Sequence, residues 1–101
     1  MPRTLHHPAI AALELTGVLH ALSDPVRLQI VRTLAADGGE RRCGAFTLPV
    51  TKSTMTHHFR VLRESGVISQ CAEGTAVVNR LRRADLDARF PGLLDSVLRA
   101  A

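Results

Sequence analysis

The 101-residue sequence predicts a mainly α chain in which a single β-hairpin interrupts a series of helices. Three observations carry that expectation. Apolar residues recur at three- and four-residue spacing between residues 9 and 34 and again between 51 and 65. Ser23-Asp24-Pro25 and Thr51 supply helix-start chemistry at the heads of two of these runs. Two short segments with β-branched residues, Val67-Ile68 and Thr75, Val77 and Val78, lie on either side of Glu73-Gly74.

The first run, Ala9 to Leu22, places Ile10, Leu13, Leu15, Val18, Leu19 and Leu22 in two overlapping stripes, so a helix here is apolar around much of its circumference. Such a helix needs more than one surface to pack against. Asp24 can then cap the free amides of a second helix, with Pro25 at the first helical position where its missing N–H costs nothing. Val26, Ile30, Val31 and Leu34 give that helix one buried stripe, and Asp37-Gly38-Gly39 ends it. Within residues 40 to 50, Cys43, Ala45, Phe46 and Leu48 are compatible with a short helix bounded by Gly44 and Pro49.

Thr51 opens a better-defined helix, with its hydroxyl as N-cap and Met55, Phe59 and Leu62 on one face. Lys52, Ser53, Thr56, His57, Arg60 and Arg63 form the opposite, polar face, and Ser65-Gly66 closes the helix. Val67 to Ala72 and Thr75 to Leu81 read as strands of a hairpin joined at Glu73-Gly74. Two strands alone are marginal in water, so the pair is expected to lie against the helices. Ala84 to Phe90 and the run Leu93, Leu94, Val97, Leu98 complete the chain with two short helical stretches. This order of elements is that of a winged helix-turn-helix, one domain spanning residues 1 to 101.

Composition narrows the function classes. A chain of this size buries roughly two-thirds of its unfolded surface, enough for one core and not for two. Two cysteines, Cys43 and Cys71, make neither a disulfide scaffold nor the paired spacing of a structural zinc site, and they fit a reducing cytoplasm. No apolar run reaches the roughly 18 to 20 residues that span a bilayer, and the start MPRTLHHPAI has no secretory signal character. The net charge of +4 is unevenly spread. Residues 1–40 carry three basic against four acidic side chains, residues 41–83 eight against two, and residues 84–101 two against three. A basic middle between slightly acidic ends is the footprint of a phosphate-binding face, weighed against a plain solvated surface. An enzyme is not expected, because the sequence has no acidic cluster and no glycine-rich phosphate loop. Three Phe at core spacing make no stacking platform for RNA or single strands.

The stretches LSDPVRLQIVRTL, from Leu22 to Leu34, and TKSTMTHHFRVLRESGVI, from Thr51 to Ile68, resemble the ArsR-type (arsenical repressor) family of bacterial regulators. With the hairpin and RRADLDARFPGLLDSVL the likeness covers almost the whole chain. The resemblance implies a homodimeric transcriptional regulator, a repressor, that binds double-stranded operator DNA. It places the 51–65 helix in the major groove and the 67–81 hairpin as a wing over the backbone. The DNA-binding residues it implies are Thr51, Lys52, Ser53, Thr54, Thr56, His57, Arg60 and Arg63 on the helix, with Gly74, Thr75 and Arg80 on the wing. Terminal helices at about 9–22 and 84–100 have apolar surface to spare, and Leu15, Leu19, Leu94, Val97 and Leu98 are expected at the dimer interface.

Many members of this family sense metals through paired cysteines before the recognition helix, or through aspartate and histidines on the last helix. Here Cys43 stands alone after Arg41-Arg42, no histidine follows His58, and His57 and His58 diverge by about 100° on their helix. No metal and no cofactor are therefore expected. Two readings stand beside the DNA one. Cys43 or Cys71, in basic surroundings, could serve a thiol or redox response, against the commoner fate of a small packed side chain. A winged helix can also act as a protein–protein module without DNA, which the polar, basic face argues against. The sequence names no effector.

Overall fold

The computed structural model describes residues 5–42, 46 and 48–101. A 3₁₀ turn at Ile10–Ala12 leads into α1 (Leu15–Leu22) and α2 (Pro25–Ala36), followed by strand β1 (Glu40–Arg42). Then come α3 (Lys52–Glu64), β2 (Ile68–Glu73), β3 (Ala76–Leu81), α4 (Arg83–Arg89) and α5 (Leu93–Ala100). The architecture is a winged helix-turn-helix, helices on one side and a small antiparallel sheet at the edge.

Local chemistry sets most boundaries. Asp24 Oδ2 accepts from Val26 N and Arg27 N at 2.9 and 3.1 Å, capping α2 ahead of Pro25. Thr51 Oγ1 accepts from Thr54 N at 3.3 Å and caps α3. At the other end of α3, Val67 N donates to Leu62 O and Gly66 N to Arg63 O, both at 3.0 Å, with Gly66 at φ 87°. This is a Schellman stop, and here it has a second reason to require glycine. A Cβ on Gly66 would stand 2.0 Å from Leu13 Cδ2.

Four sequence expectations change. The helix expected over Ala9 to Leu22 is broken at Leu13 and Glu14, whose backbones are extended. Leu13 turns into the core over Gly66, and its carbonyl accepts from Arg89 Nε at 3.1 Å instead of an intrahelical donor. The hairpin does not stand as two strands: the sheet has three, in the order β1-β3-β2, with Glu40 opposite Arg80 and Arg42 opposite Val78. Residues 40–42, expected near a short helix, are therefore a strand, and among the described residues of 46–50 there is no helix. Cys43, Gly44 and Ala45 lie outside the described residues. The hairpin turn is Gly74-Thr75, one residue later than expected, with Gly74 at φ 64° in the first turn position as a two-residue type II′ connection requires.

The core joins Leu13, Val18, Ala21 and Leu22 to Ile30, Val31 and Leu34, and these to Phe59, Leu62, Val67, Ile68, Leu86 and Leu94. It therefore seats α3 on α1 and α2 by its Phe59-Leu62 face and leaves the opposite face outward. No described helix is long and apolar enough to cross a membrane.

Candidate nucleic-acid interface

The outward side of α3 is polar from its cap onward. Thr51, Lys52, Ser53, Thr54, Thr56, His57 and Arg60 are all exposed. Thr51 Oγ1 lies 2.9 Å from Thr54 Oγ1 and 3.3 Å from Ser53 Oγ, and Thr56 Oγ1 donates to Lys52 O at 3.0 Å. These bonds pre-orient the hydroxyls, and Thr56, which donates to the backbone, keeps its oxygen lone pairs open to accept. The free amides of the first turn attract anions here too, since no acidic side chain occupies it.

His57 and His58 part as their spacing requires. His57 faces solvent, whereas His58 is buried beneath α3 and its Nδ1 lies 3.1 Å from Arg27 Nη1. A guanidinium only donates, so Nδ1 is the acceptor in this contact. Arg27 itself is buried, with Nε donating to Ala21 O at 2.7 Å and Nη2 to His20 O at 3.2 Å. One side chain thus closes the end of α1 and ties α2 to α3. Asp24 adds to this junction, its Oδ2 standing 3.8 Å from His58 Nδ1. The two amides of Arg27 and Val26, with His58 and Arg27 beyond, hold the Asp24 carboxyl below its ordinary value despite some burial. Burial of an arginine on α2 is not readable from the sequence, where Arg27 counts as one more surface cation.

The basic middle of the chain is sorted by its partners. Arg41 pairs with Asp37, Arg82 with Asp85 at 3.0 Å, and Arg83 with Asp95 at 2.8 Å. Arg80, expected on DNA, bonds Glu40 at 3.1 Å and Glu73 at 3.2 Å, and these carboxylates, Glu73 foremost, raise its pKa. Lys52 and Arg60 are exposed and make no ion pair among the described residues. At the wing tip, Gly74 and Thr75 are exposed.

Arg63 departs from the outward face expected of it. It is half-buried where the sheet crosses the end of α3, and its Nη1 donates to Gln70 Oε1 at 2.8 Å. Gln70 Nε2 in turn donates to Asn79 Oδ1 at 2.8 Å, and Asn79 Nδ2 to Arg41 O at 3.4 Å. Arg41, Asn79 and Gln70 are direct cross-strand partners, so a polar relay runs across all three strands to α3. The N-terminal segment joins it, with Gln70 N donating to His7 Nε2 at 2.9 Å and Arg82 Nη1 to Pro8 O at 2.8 Å. Sequence reasoning missed this relay, although a polar pair at facing strand positions was a readable signal.

On the far side, Leu15 and Leu19 are 46% and 44% exposed, and Ile10 is 43% exposed. Val97 and Leu98 are half-buried. Leu94 is only 2% exposed, packed within its own chain, and has no area left to share with a second copy. Cys71 is exposed on β2, and Cys43 lies outside the described residues. Among the described residues no three His, Cys, Asp or Glu side chains group as a metal site would require.

Comparison with known proteins agrees with this geometry. A helix-turn-helix domain family matches residues 22–71. The chain is 33% identical over 82 residues to YceK of Bacillus subtilis (strain 168), an uncharacterized HTH-type transcriptional regulator, covering 79% of this chain and 82% of that one. It is 32% identical over 59 residues to MJ1325 of Methanocaldococcus jannaschii, described in the same terms, covering 57% and 66%. The crystal structure of an ArsR family transcriptional regulator superposes with a TM-score of 0.67 at 21% identity, over 81% of this chain and 90% of the other. These relatives are regulators and not enzymes, and the chain belongs to the helix-turn-helix transcriptional regulators, with the fold of the ArsR family.

Proposed function

We propose that the protein binds double-stranded operator DNA as a homodimer in the cytoplasm and acts as a repressor. The observation that carries this reading is the α3 face itself: seven consecutive or near-consecutive exposed polar residues, with Lys52 and Arg60 unpaired among the described residues while neighbouring arginines are neutralised. An α-helix fits the major groove, where hydroxyl, imidazole and amine groups meet base edges and phosphates. The wing tip, Gly74-Thr75, is the part of the hairpin that reaches the backbone, and its small side chains permit close approach. Arg80 contributes by holding β1, β3 and the end of β2 together through Glu40 and Glu73, and less by touching phosphate.

Selection of bound duplexes from a random pool tests the reading. An inverted repeat with half-sites about one helical turn apart is the expected product. On the selected duplex, Lys52→Ala or Arg60→Ala should weaken specific and random DNA alike and lower the salt slope by about one unit for each phosphate no longer neutralised, or about two per dimer. Thr56→Ala or His57→Ala should cost about 1 to 3 kcal/mol per half-site on the operator and little on random DNA. Operator preference that survives both of the latter changes would remove α3 as the reading element. Protein stripped with chelator should bind as well as protein given zinc.

A further inference from the structure

Between α3 and the wing lies a cavity of about 720 Å³, within the range of small-molecule sites. Its apolar wall holds Phe46 and Phe59, set edge to face with ring centroids 5.2 Å apart, and Val77 comes from β3 on the wing. The charged side chains on its described lining are Lys52, Arg60 and Arg63, all cationic. Arg63 is the distinctive member. Its Nη1 is engaged by Gln70, but its Nε is buried and has no acceptor, a donor left unsatisfied in a protein interior where such groups are normally bonded. Apolar walls and a wholly positive set of charges, of which half-buried Arg63 is the deepest, define one ligand chemistry: a flat apolar body bearing a single carboxylate or sulfonate.

We propose that this cavity binds an amphipathic aromatic anion, with its acid group on Arg63 and its rings against the half-buried apolar side chains Leu5, Met55 and Val77. Lys52 and Arg60 stand at the same cavity and on the DNA-facing side of α3, so an occupied cavity draws these cations toward the ligand and competes with phosphate for them. The bound molecule is then an effector that releases DNA. That consequence rests on the DNA reading above, whereas occupancy of the cavity does not.

The probe is 1-anilinonaphthalene-8-sulfonate, an aromatic anion whose fluorescence rises in apolar surroundings, titrated into the folded protein without DNA. Its uncharged counterpart N-phenyl-1-naphthylamine is the control. The expected result is saturable binding of one probe per chain, with the neutral compound about tenfold weaker or more, as for loss of a charge-assisted hydrogen bond. Arg63→Gln should weaken the sulfonate by a similar factor and leave the neutral compound nearly unchanged. Val77→Trp, which fills the cavity from the wing, should remove binding of both compounds, and it serves if Arg63→Gln does not fold. Equal affinity for the two compounds, or sulfonate binding untouched by either variant, overturns the proposal. So does binding abolished by Leu15→Glu with Leu19→Glu, which would place the probe on α1. Binding that appears only after removal of residues 1–4 would make the chain's own terminus the occupant and overturns it as well. In a second arm, the probe should displace a labelled operator duplex from the parent and not from Arg63→Gln. Saturable binding without displacement would sink the regulatory consequence while leaving the cavity assignment intact, and failure to bind any duplex would sink the DNA reading alone.

Discussion

At the scale of single residues, the adjacent histidines of α3 separate two kinds of importance. His57 stands in solvent on the outward face of α3, and His58 accepts from a buried arginine that also closes α1. Removing His58 leaves Arg27 Nη1 buried without that acceptor, so His58→Ala should cost about 1 to 3 kcal/mol in denaturant unfolding. Operator preference of the protein that remains folded should be unchanged. His57→Ala should do the reverse, losing operator preference with stability nearly intact. A third histidine sets a pH dependence. Burial first, then the charges of Arg63, Arg82 and neighbouring His6, hold His7 below its ordinary value of 6.5, against a raising contribution from the backbone of Leu5. The folded chain thus binds this proton less readily than the unfolded one. The stabilisation from neutral His7, whose Nε2 accepts from Gln70 N, is present above about 6.5 and is lost as pH falls from there through the folded value. Urea midpoints should therefore decline across that acid window, and His7→Gln should flatten the decline. A midpoint that rises on acidification in the parent and not in the variant contradicts the assignment.

At the scale of elements, legibility follows the distance over which a boundary is decided. Asp24-Pro25, Thr51 and Ser65-Gly66 act on amides within a few residues of themselves, and the helices they bound are those the sequence predicts. β1 is different. Glu40-Arg41-Arg42 has no apolar alternation and no β-branched residue, and it is a strand because Asn79 and Arg80, nearly forty residues on, offer a backbone edge and a matching charge. The break before α1 has the same origin, since Leu13 O is claimed by Arg89. The site divides likewise: the exposed α3 residues follow from helical periodicity, whereas the diversion of Arg63 depends on where the sheet crosses. That crossing is held by the relay from Arg63 through Gln70 and Asn79 to β1. Asn79 is fully buried, so Asn79→Ala leaves the Gln70 amide without its acceptor there and should cost about 1 to 3 kcal/mol. Because the relay also sets the wing against α3, DNA affinity should fall in the variant at temperatures where it is fully folded. An Asn79→Ala protein with parental affinity would show that the wing's position does not depend on the relay.

At the scale of the whole molecule, the question is what covers the apolar surface that a single chain leaves in water. α1 buries Val18, Ala21 and Leu22 and keeps Leu15 and Leu19 nearly half exposed, one turn apart on the same face, with Ile10 exposed just before them. α5 adds half-buried Val97 and Leu98, while Leu94 is spent on the core and contributes nothing outward. Isolated exposed leucines are ordinary, but two on one helical stripe beside a third apolar side chain are the kind of patch that an association covers. A second copy, related by a two-fold axis, is the partner whose reading helix could meet the other half of an inverted repeat. Each fully buried leucine contributes about 1.5 to 3 kcal/mol relative to exposure, and the remaining exposed half about half of that, repeated twice by symmetry. Leu15→Glu with Leu19→Glu removes this and places four carboxylates at the seam. The parent should sediment at micromolar concentration as twice the 10.9 kDa chain, and the double variant as a single chain with its helical content retained. Its DNA binding should then lose the tight symmetric complex while keeping weak, salt-sensitive binding to a half-site, since α3 and the wing are untouched. A parent that sediments at the mass of one chain, or a double variant that still forms the symmetric complex, would move the interface away from α1.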